Sequence, residues 1–414
     1  MHTNSSIQIH DWKYKSILWA QIFLFLGVLS SPTIVSLFHI LIIIPTIAFW
    51  LNKPKDFSLP KSAWVLIALF MWGGICTAFN YDTIIKPSRS FNDLKYYLFG
   101  VLLILPIYHF YKQAKVKHIR IFLNIFWIVI IVGFFVGISR STFQFDPVKF
   151  EFTDRYHPYR SGGFLNYMRY GYASAFVSLL GLSVLFNKDK LKSIINFKLF
   201  LPALVLSLCA IYFSQTRGAL LALMVGVPFV LWRFKRNIAI LSLAVGGCLV
   251  LVIIYFSFFG NTNNRLLNIA GNSNKVRMSQ FQTALKVIET KPFFGLGADQ
   301  FSYNVIEYKK KYNLPSKHYS GHAHNIFLEH GANFGVLGIA LLALFLMFWF
   351  FEMIAIHSSF GWAVASYILA FTISGQVELL FDNANSHILF FIYSFSLAIK
   401  KMSGKGRFFE EILC

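Results

Sequence analysis

The stretch GHAHNIFLEHGANFGVLG, Gly321 to Gly338, places three imidazoles and a carboxylate, His322, His324, His330 and Glu329, directly before a long apolar run. An imidazole titrates near neutrality, so it is the side chain best suited to accept a proton from a reacting hydroxyl there. Laid on a helix, His324 shares one stripe with Gly331, Gly335 and Gly338, and small residues along a stripe let another backbone approach closely. His324 is therefore expected to top a tightly packed seam, held as a general base must be. Two other readings stand beside this one: a hydrogen-bonded structural histidine, and zinc ligation by the three histidines with Glu329. The spacing H-x-H-x5-H fits no strong zinc pattern and would turn His330 off the face of His324, so no metal is expected.

Three arginine-bearing segments could supply an anion seat near such a base. In SQTRGA, Ser214 to Ala219, a short turn between two apolar spans holds Arg217 at the mouth of a bundle, with Gly218 exposing backbone amides beside it. Snorkelling of Arg217 to lipid phosphate is the plain alternative. In KVRMSQFQTALKVIETKPFFGLG, Lys275 to Gly297, an amphipathic helix ends near Pro292, and Arg277 lies on the stripe of Phe281, Ala284 and Ile288. An arginine on a buried face needs an anion, either a diphosphate ligand or a structural carboxylate. The third segment, Asp154 to Tyr172, carries Arg155, Arg160 and Arg169 among tyrosines, and Arg160 stands beside a Ser-Gly-Gly turn. Aromatic faces suit sugar rings and guanidinium groups suit phosphate, although tyrosine is also ordinary membrane-boundary material.

The elements that must carry these groups are membrane spans. Of the 414 residues, 56% are hydrophobic and 13% charged, a composition outside the soluble range. Twelve apolar segments approach bilayer-crossing length: 16–29, 32–50, 62–79, 96–111, 121–138, 170–186, 200–213, 219–232, 238–259, 335–351, 360–373 and 388–399. The first follows a polar leader with no cleavage site after it, and reads as a retained span. Cys76, Cys209, Cys248 and Cys414 show no paired spacing and suggest neither disulfides nor a metal knuckle.

With both ends cytoplasmic, the short inner loops gather 20 of the 38 basic residues and 6 of the 17 acids, as the positive-inside rule requires. The basic surplus is thus a matter of topology and membrane lipids, and no nucleic acid is expected. The opposite face holds the two long loops, 139–169 and 260–334, and together with its shorter loops it keeps a surplus of seven positive charges, which points to an anionic partner. No Asp, Glu, Lys or Arg falls inside the twelve spans as drawn, which removes the usual parts of an ion-coupled carrier.

In order and spacing these features resemble the O-antigen ligase and polymerase superfamily of bacterial envelope glycosyltransferases. SQTRGA is similar to its arginine-bearing turn. VRMSQFQTALKVIETKPFFGLG resembles its R-x3-aromatic helix ending in P-x2-G-x-G, with Phe281 where the family often has Trp. HNIFLEHGANFGVLG fits its motif of His, then Asn, Ser or Gln, nine residues and G-x-x-G. The resemblance implies one polytopic, all-α, GT-C-like membrane domain over 1–414, with about twelve spans and a large periplasmic loop containing short helices. It also implies metal-independent, inverting transfer of a glycan from undecaprenyl diphosphate to a lipid A-core sugar at the periplasmic face of the inner membrane, without a cofactor. No D-x-D occurs in the chain, so guanidinium groups rather than a carboxylate-held metal are expected to meet the diphosphate. On this reading His324 is the base, Arg217 and Arg277 bind the leaving diphosphate, and Arg160 and His322 are secondary substrate-binding candidates. A polymerase of the same superfamily and a lipid-linked sugar flippase are the rivals.

Overall fold

The computed structural model describes residues 12–30, 32–55, 57–114, 116–152, 161–162, 164, 167–259, 272–315, 321–380 and 383–403. Among these the chain is almost wholly helical. The first half comprises α1 (Trp12–Ser30), α2 (Pro32–Leu51), α3 (Lys61–Phe79), α4 (Pro87–Leu102), α5 (Ile104–Gln113), α6 (Val116–Thr142), α7 (Tyr167–Phe186) and the short α8 (Lys188–Leu191). The second half comprises α9 (Phe197–Ser214), α10 (Arg217–Phe234), α11 (Arg236–Phe259), α12 (Asn272–Thr290), α13 (Phe301–Lys311), α14 (Ile326–Ile354), α15 (Ser359–Ser374) and α16 (Asn383–Ser403). A two-stranded antiparallel hairpin, β1 (Phe145–Asp146) and β2 (Glu151–Phe152), follows α6.

Each of the twelve apolar segments falls on a helix, one of them on α4 and α5 together. In hydrocarbon every backbone amide needs an internal partner, which a helix provides. Seven of the described helical stretches are long and apolar enough to cross a membrane, α4 and α5 counting as one, and shorter apolar helices accompany them. The chain is a multi-pass membrane protein by this composition and length. Its helices stop where the sequence changes character. Pro60 precedes α3 and Pro87 opens α4, positions where a missing N–H costs nothing. Asn196, Asn325 and Ser358 cap α9, α14 and α15 with side-chain oxygens, satisfying amides that the first helical turn leaves over.

The core forms around α14, which packs on α3, α15 and α12. Phe345 and Trp349 of α14 meet Phe390 and Tyr393 of α16 in a fully buried aromatic stack. Two departures from the apolar reading are instructive. The helix that begins in the expected loop runs from Ile326 to Ile354 and so includes Glu352, one residue past the expected span. Its carboxylate accepts from the backbone N–H and hydroxyl of Ser62 at the start of α3, where the helix dipole favours negative charge. Arg140, in the last turn of α6, is also buried and paired with Asp146 at 3.0 Å, which ties the hairpin to its helix.

Gly335 is where α14 departs from regularity. Its φ of 70° and ψ of −171° break the helical ladder, in a region open essentially to glycine alone. The break leaves the carbonyls of Ala332 and Asn333 without their helical donors. The P-x2-G-x-G loop supplies replacements: Leu296 N donates to Ala332 O and Gly297 N to Asn333 O, both at 2.9 Å, while Val336 N donates to Pro292 O at 2.8 Å. The expected backbone approach thus occurs at Gly335, where a Cβ would strike the backbone of Pro292 and Phe293; at Gly331 and Gly338 the nearest contacts are mostly side chains. Gly335→Ala is expected to destabilise the protein by about 2 kcal/mol or more, from the forbidden backbone and the overlap together. A lower thermal midpoint of the detergent-solubilised variant checks this.

Candidate active site

Residues 321–325, which lead into α14, lie at the bundle end where α9 meets α10 and α15 ends. Ala323, between His322 and His324, is fully buried with Ala284 and Val287 of α12. Glu329, in the first turn of α14, accepts from Ala323 N at 2.6 Å and from Asn333 Nδ2 at 3.2 Å. The two flanking histidines are thereby anchored through the backbone between them. His324 does not lie on the helix: Asn325 is the cap, and His324 takes a left-handed φ of 53° just outside it. The expected stripe of His324 with Gly331, Gly335 and Gly338 is therefore replaced by a turn. Its geometry aims the imidazole sideways, towards the loop after α15.

There the two histidines meet Glu378. The carboxylate Oε1 pairs with His324 Nδ1 at 2.9 Å and with His322 Nε2 at 3.0 Å, and Oε2 accepts from Arg277 Nη2 at 3.2 Å. Arg277 Nη1 and Arg217 Nη1 both donate to Asn274 Oδ1, each at 3.4 Å. Arg217, Arg277, His322 and His324 thus join one hydrogen-bonded cluster through two residues, Asn274 and Glu378, that sequence reasoning did not single out. Arg217 stands at the first position of α10, after a turn in which Gln215 takes a left-handed φ of 49°. Gly218 does not present an open amide as expected; it is buried, and the Tyr172 hydroxyl lies against the place its Cβ would take. Arg160 and Arg155 lie outside the described residues.

Burial would raise the carboxyl of Glu378, but hydrogen bonds from His322 and His324 outweigh it and hold the group well below the usual carboxylate range. An ionised Glu378 accepts hydrogen bonds only. His324 must therefore carry its proton on Nδ1, which leaves the Nε2 lone pair free to act as a base. Burial pushes the pKa of His324 down, against the hydrogen bond it donates to Glu378, which raises it, and nearby His322 and Arg277 push it down further. Glu378 also answers part of the charge question. It balances one guanidinium, and the cluster of two arginines and one carboxylate keeps one positive charge while the imidazoles are neutral. Arg277 Nε is buried and has no acceptor among the described residues, so the guanidinium retains a donor that the protein side chains do not satisfy.

His330 stands apart from this cluster. It is buried against Tyr97 Oη at 2.8 Å and Ile326 O at 2.7 Å, a structural role. His322, His324 and Glu378 offer three ligand atoms within 4.8 Å of one another, so the donor set that could take a cation differs from the one the sequence suggested. A cation there would compete with Arg277 for the carboxylate.

Residues 202–343 match a family model described as O-antigen ligase. That stretch includes Arg217, Asn274, Arg277, His322 and His324, whereas Glu378 lies beyond it. No curated protein matches the chain. The neutral form of His324 is the one able to accept a proton, and a lowered pKa extends that form to more acid conditions. Histidine NMR of the purified protein should place its titration below the ordinary imidazole value of about 6.5. Glu378→Gln, which removes the interaction that raises the pKa, should move it lower still.

Proposed function

We propose that the chain is an O-antigen ligase, the family whose model matches residues 202–343, and that it transfers a glycan from undecaprenyl diphosphate to a sugar hydroxyl of lipid A-core. The reaction takes place at the periplasmic face of the bacterial inner membrane. The observation that carries this reading is the convergence of Arg217, Arg277 and His324 through Asn274 and Glu378. One end of that cluster binds an anion and the other accepts a proton.

The acceptor hydroxyl attacks the anomeric carbon while His324 Nε2 takes its proton. The bond from that carbon to the diphosphate oxygen breaks, and its electron pair leaves with the lipid diphosphate. Attack from the face opposite the leaving group inverts the configuration. Arg217 and Arg277 stabilise the charge that grows on the diphosphate, a contribution largest where donors are already fixed in place. A diphosphate departs without protonation, so no general acid is required. Glu378 acts through His324: it fixes the tautomer and steadies the imidazolium that forms. His322 shares the same oxygen, at the rim of the cluster, where it can meet a sugar hydroxyl.

The test is transfer by purified protein from an undecaprenyl-diphosphate-linked glycan to lipid A-core. His324→Ala should lower the rate by about 10²–10⁴, and Arg217→Ala or Arg277→Ala by about 10²–10³, each in protein that still unfolds in one cooperative transition. Activity should persist in chelator; loss that zinc restores would replace the guanidinium mechanism with a metal at His322, His324 and Glu378. In a deletion strain, lipopolysaccharide should run as bare core. Core carrying a single repeat would instead assign the chain to polymerisation.

A further inference from the structure

Tyr172 closes the tyrosine-rich segment and lies near the start of α7, where that helix runs past the SQTRGA turn. Two glycines permit the approach. At Gly171 a Cβ would come within 2.7 Å of both Ser214 Oγ and Thr216 Cβ, and at Gly218 a Cβ would overlap the Tyr172 hydroxyl itself. Small residues on facing helices thus bring the phenol against the turn that carries Arg217. Its ring packs, partly buried, on an apolar cluster that includes Ile211, Ala219 and Ala370. Its hydroxyl is within electrostatic reach of Arg277 and Glu378, at the boundary between the apolar bundle and the charged cluster. There it makes no hydrogen bond among the described residues, although a phenol drawn out of water ordinarily finds a partner. Arg277 Nε, in the same cluster, is likewise a donor without an acceptor.

We infer that Tyr172 is a further catalytic residue, whose hydroxyl donates a hydrogen bond to an oxygen of the leaving diphosphate beside Arg217 and Arg277. The inference rests on the proposed glycan transfer and adds a third donor to it. The carboxylate within reach, Glu378, already gives its two oxygens to His322, His324 and Arg277. The acceptor for the phenol therefore comes from outside the cluster, and the neighbouring guanidiniums select an anionic one. A neutral donor suits this boundary. Its hydrogen bond strengthens as charge grows on the diphosphate oxygen, and burying it costs less than burying a third cation. The phenol keeps its own proton throughout, so the bonds made and broken are those of the transfer alone and His324 remains the base. The glycine after Arg217 is explained by the same contact, since any larger residue there would push the hydroxyl away.

Tyr172→Phe deletes the hydroxyl and keeps the ring in its packing. Its kcat for transfer from the undecaprenyl-diphosphate-linked donor should fall about tenfold to a hundredfold, the effect of losing one hydrogen bond to a charged oxygen, with the pH profile of wild type. The intact variant should also bind undecaprenyl diphosphate, the product, about tenfold more weakly, and undecaprenol, which lacks the diphosphate, as wild type does. Wild-type kcat together with wild-type product affinity would overturn the contact, whether or not the thermal midpoint drops. Gly218→Ala gives an independent reading, because its Cβ displaces the hydroxyl. It should lower transfer strongly in the otherwise wild-type chain and by a smaller factor in a chain that already carries Tyr172→Phe. Equal factors in both backgrounds would overturn the proposal, and if Gly218→Ala does not fold, Tyr172→Phe decides alone. Weaker binding of undecaprenyl diphosphate by Tyr172→Phe, in a protein that transfers no glycan, would uphold the contact and count against the reaction.

Discussion

The candidate site depends on a single ionised carboxylate held in a buried place. Glu378 takes hydrogen bonds from two imidazoles and one guanidinium, and a buried carboxylate stays charged only with such partners. Its position follows from the start of α14, where Asn325 Nδ2 donates to Gln376 O at 3.2 Å and Ile326 N to Gly375 O at 2.8 Å. The loop that presents Glu378 and the turn that presents His324 are therefore one unit. Loss of the carboxylate would release the tautomer of His324, the partner of His322 and the tether of Arg277 together, which makes the cluster cooperative and its single contributions inseparable by simple deletion.

Much of the layout was legible in the sequence because lipid imposes few choices. Apolar runs near bilayer length read directly as helices, and the loops left over were few enough that histidines and arginines within them stood out. The arginines at 217 and 277 were found from their setting, one in a tight turn and one on an amphipathic face. Glu378 was not. It sits in GQVELLFDNANSH beside another acid, Asp382, and neither spacing nor periodicity distinguishes the two. Its importance arises only when the loop after α15 is brought against the cap of α14, a contact between residues far apart in the chain. Asn274 escaped notice for the same reason, since an amide gains significance only when two guanidiniums share its oxygen.

The helical placement of His324 failed for a local reason. Periodicity registers where side chains would point if the helix continued, and it cannot register that Asn325 is a strong cap which ends the helix one residue later. The glycine reading succeeded at Gly335 and missed at its neighbours. Only there does the backbone leave the helical region, and only there does another main chain fill the gap. The two glycine-rich motifs answer each other: the kink in α14 exposes two acceptors, and the loop after α12 brings two donors to them. Because α12 also carries Arg277, this pairing sets the height of the guanidinium relative to the histidines.

The left-handed backbone at His324 has its own consequence. A residue with a side chain holds that conformation at a cost of roughly 1–2 kcal/mol, and the turn persists because the Asn325 cap, Glu329 and the buried Ala323 enforce it. Energy is thus stored at the segment that carries His324, while the aromatic stack of the bundle lies elsewhere. On warming, this turn can relax by rotating a single residue, so the site would slacken locally while the helices were still packed.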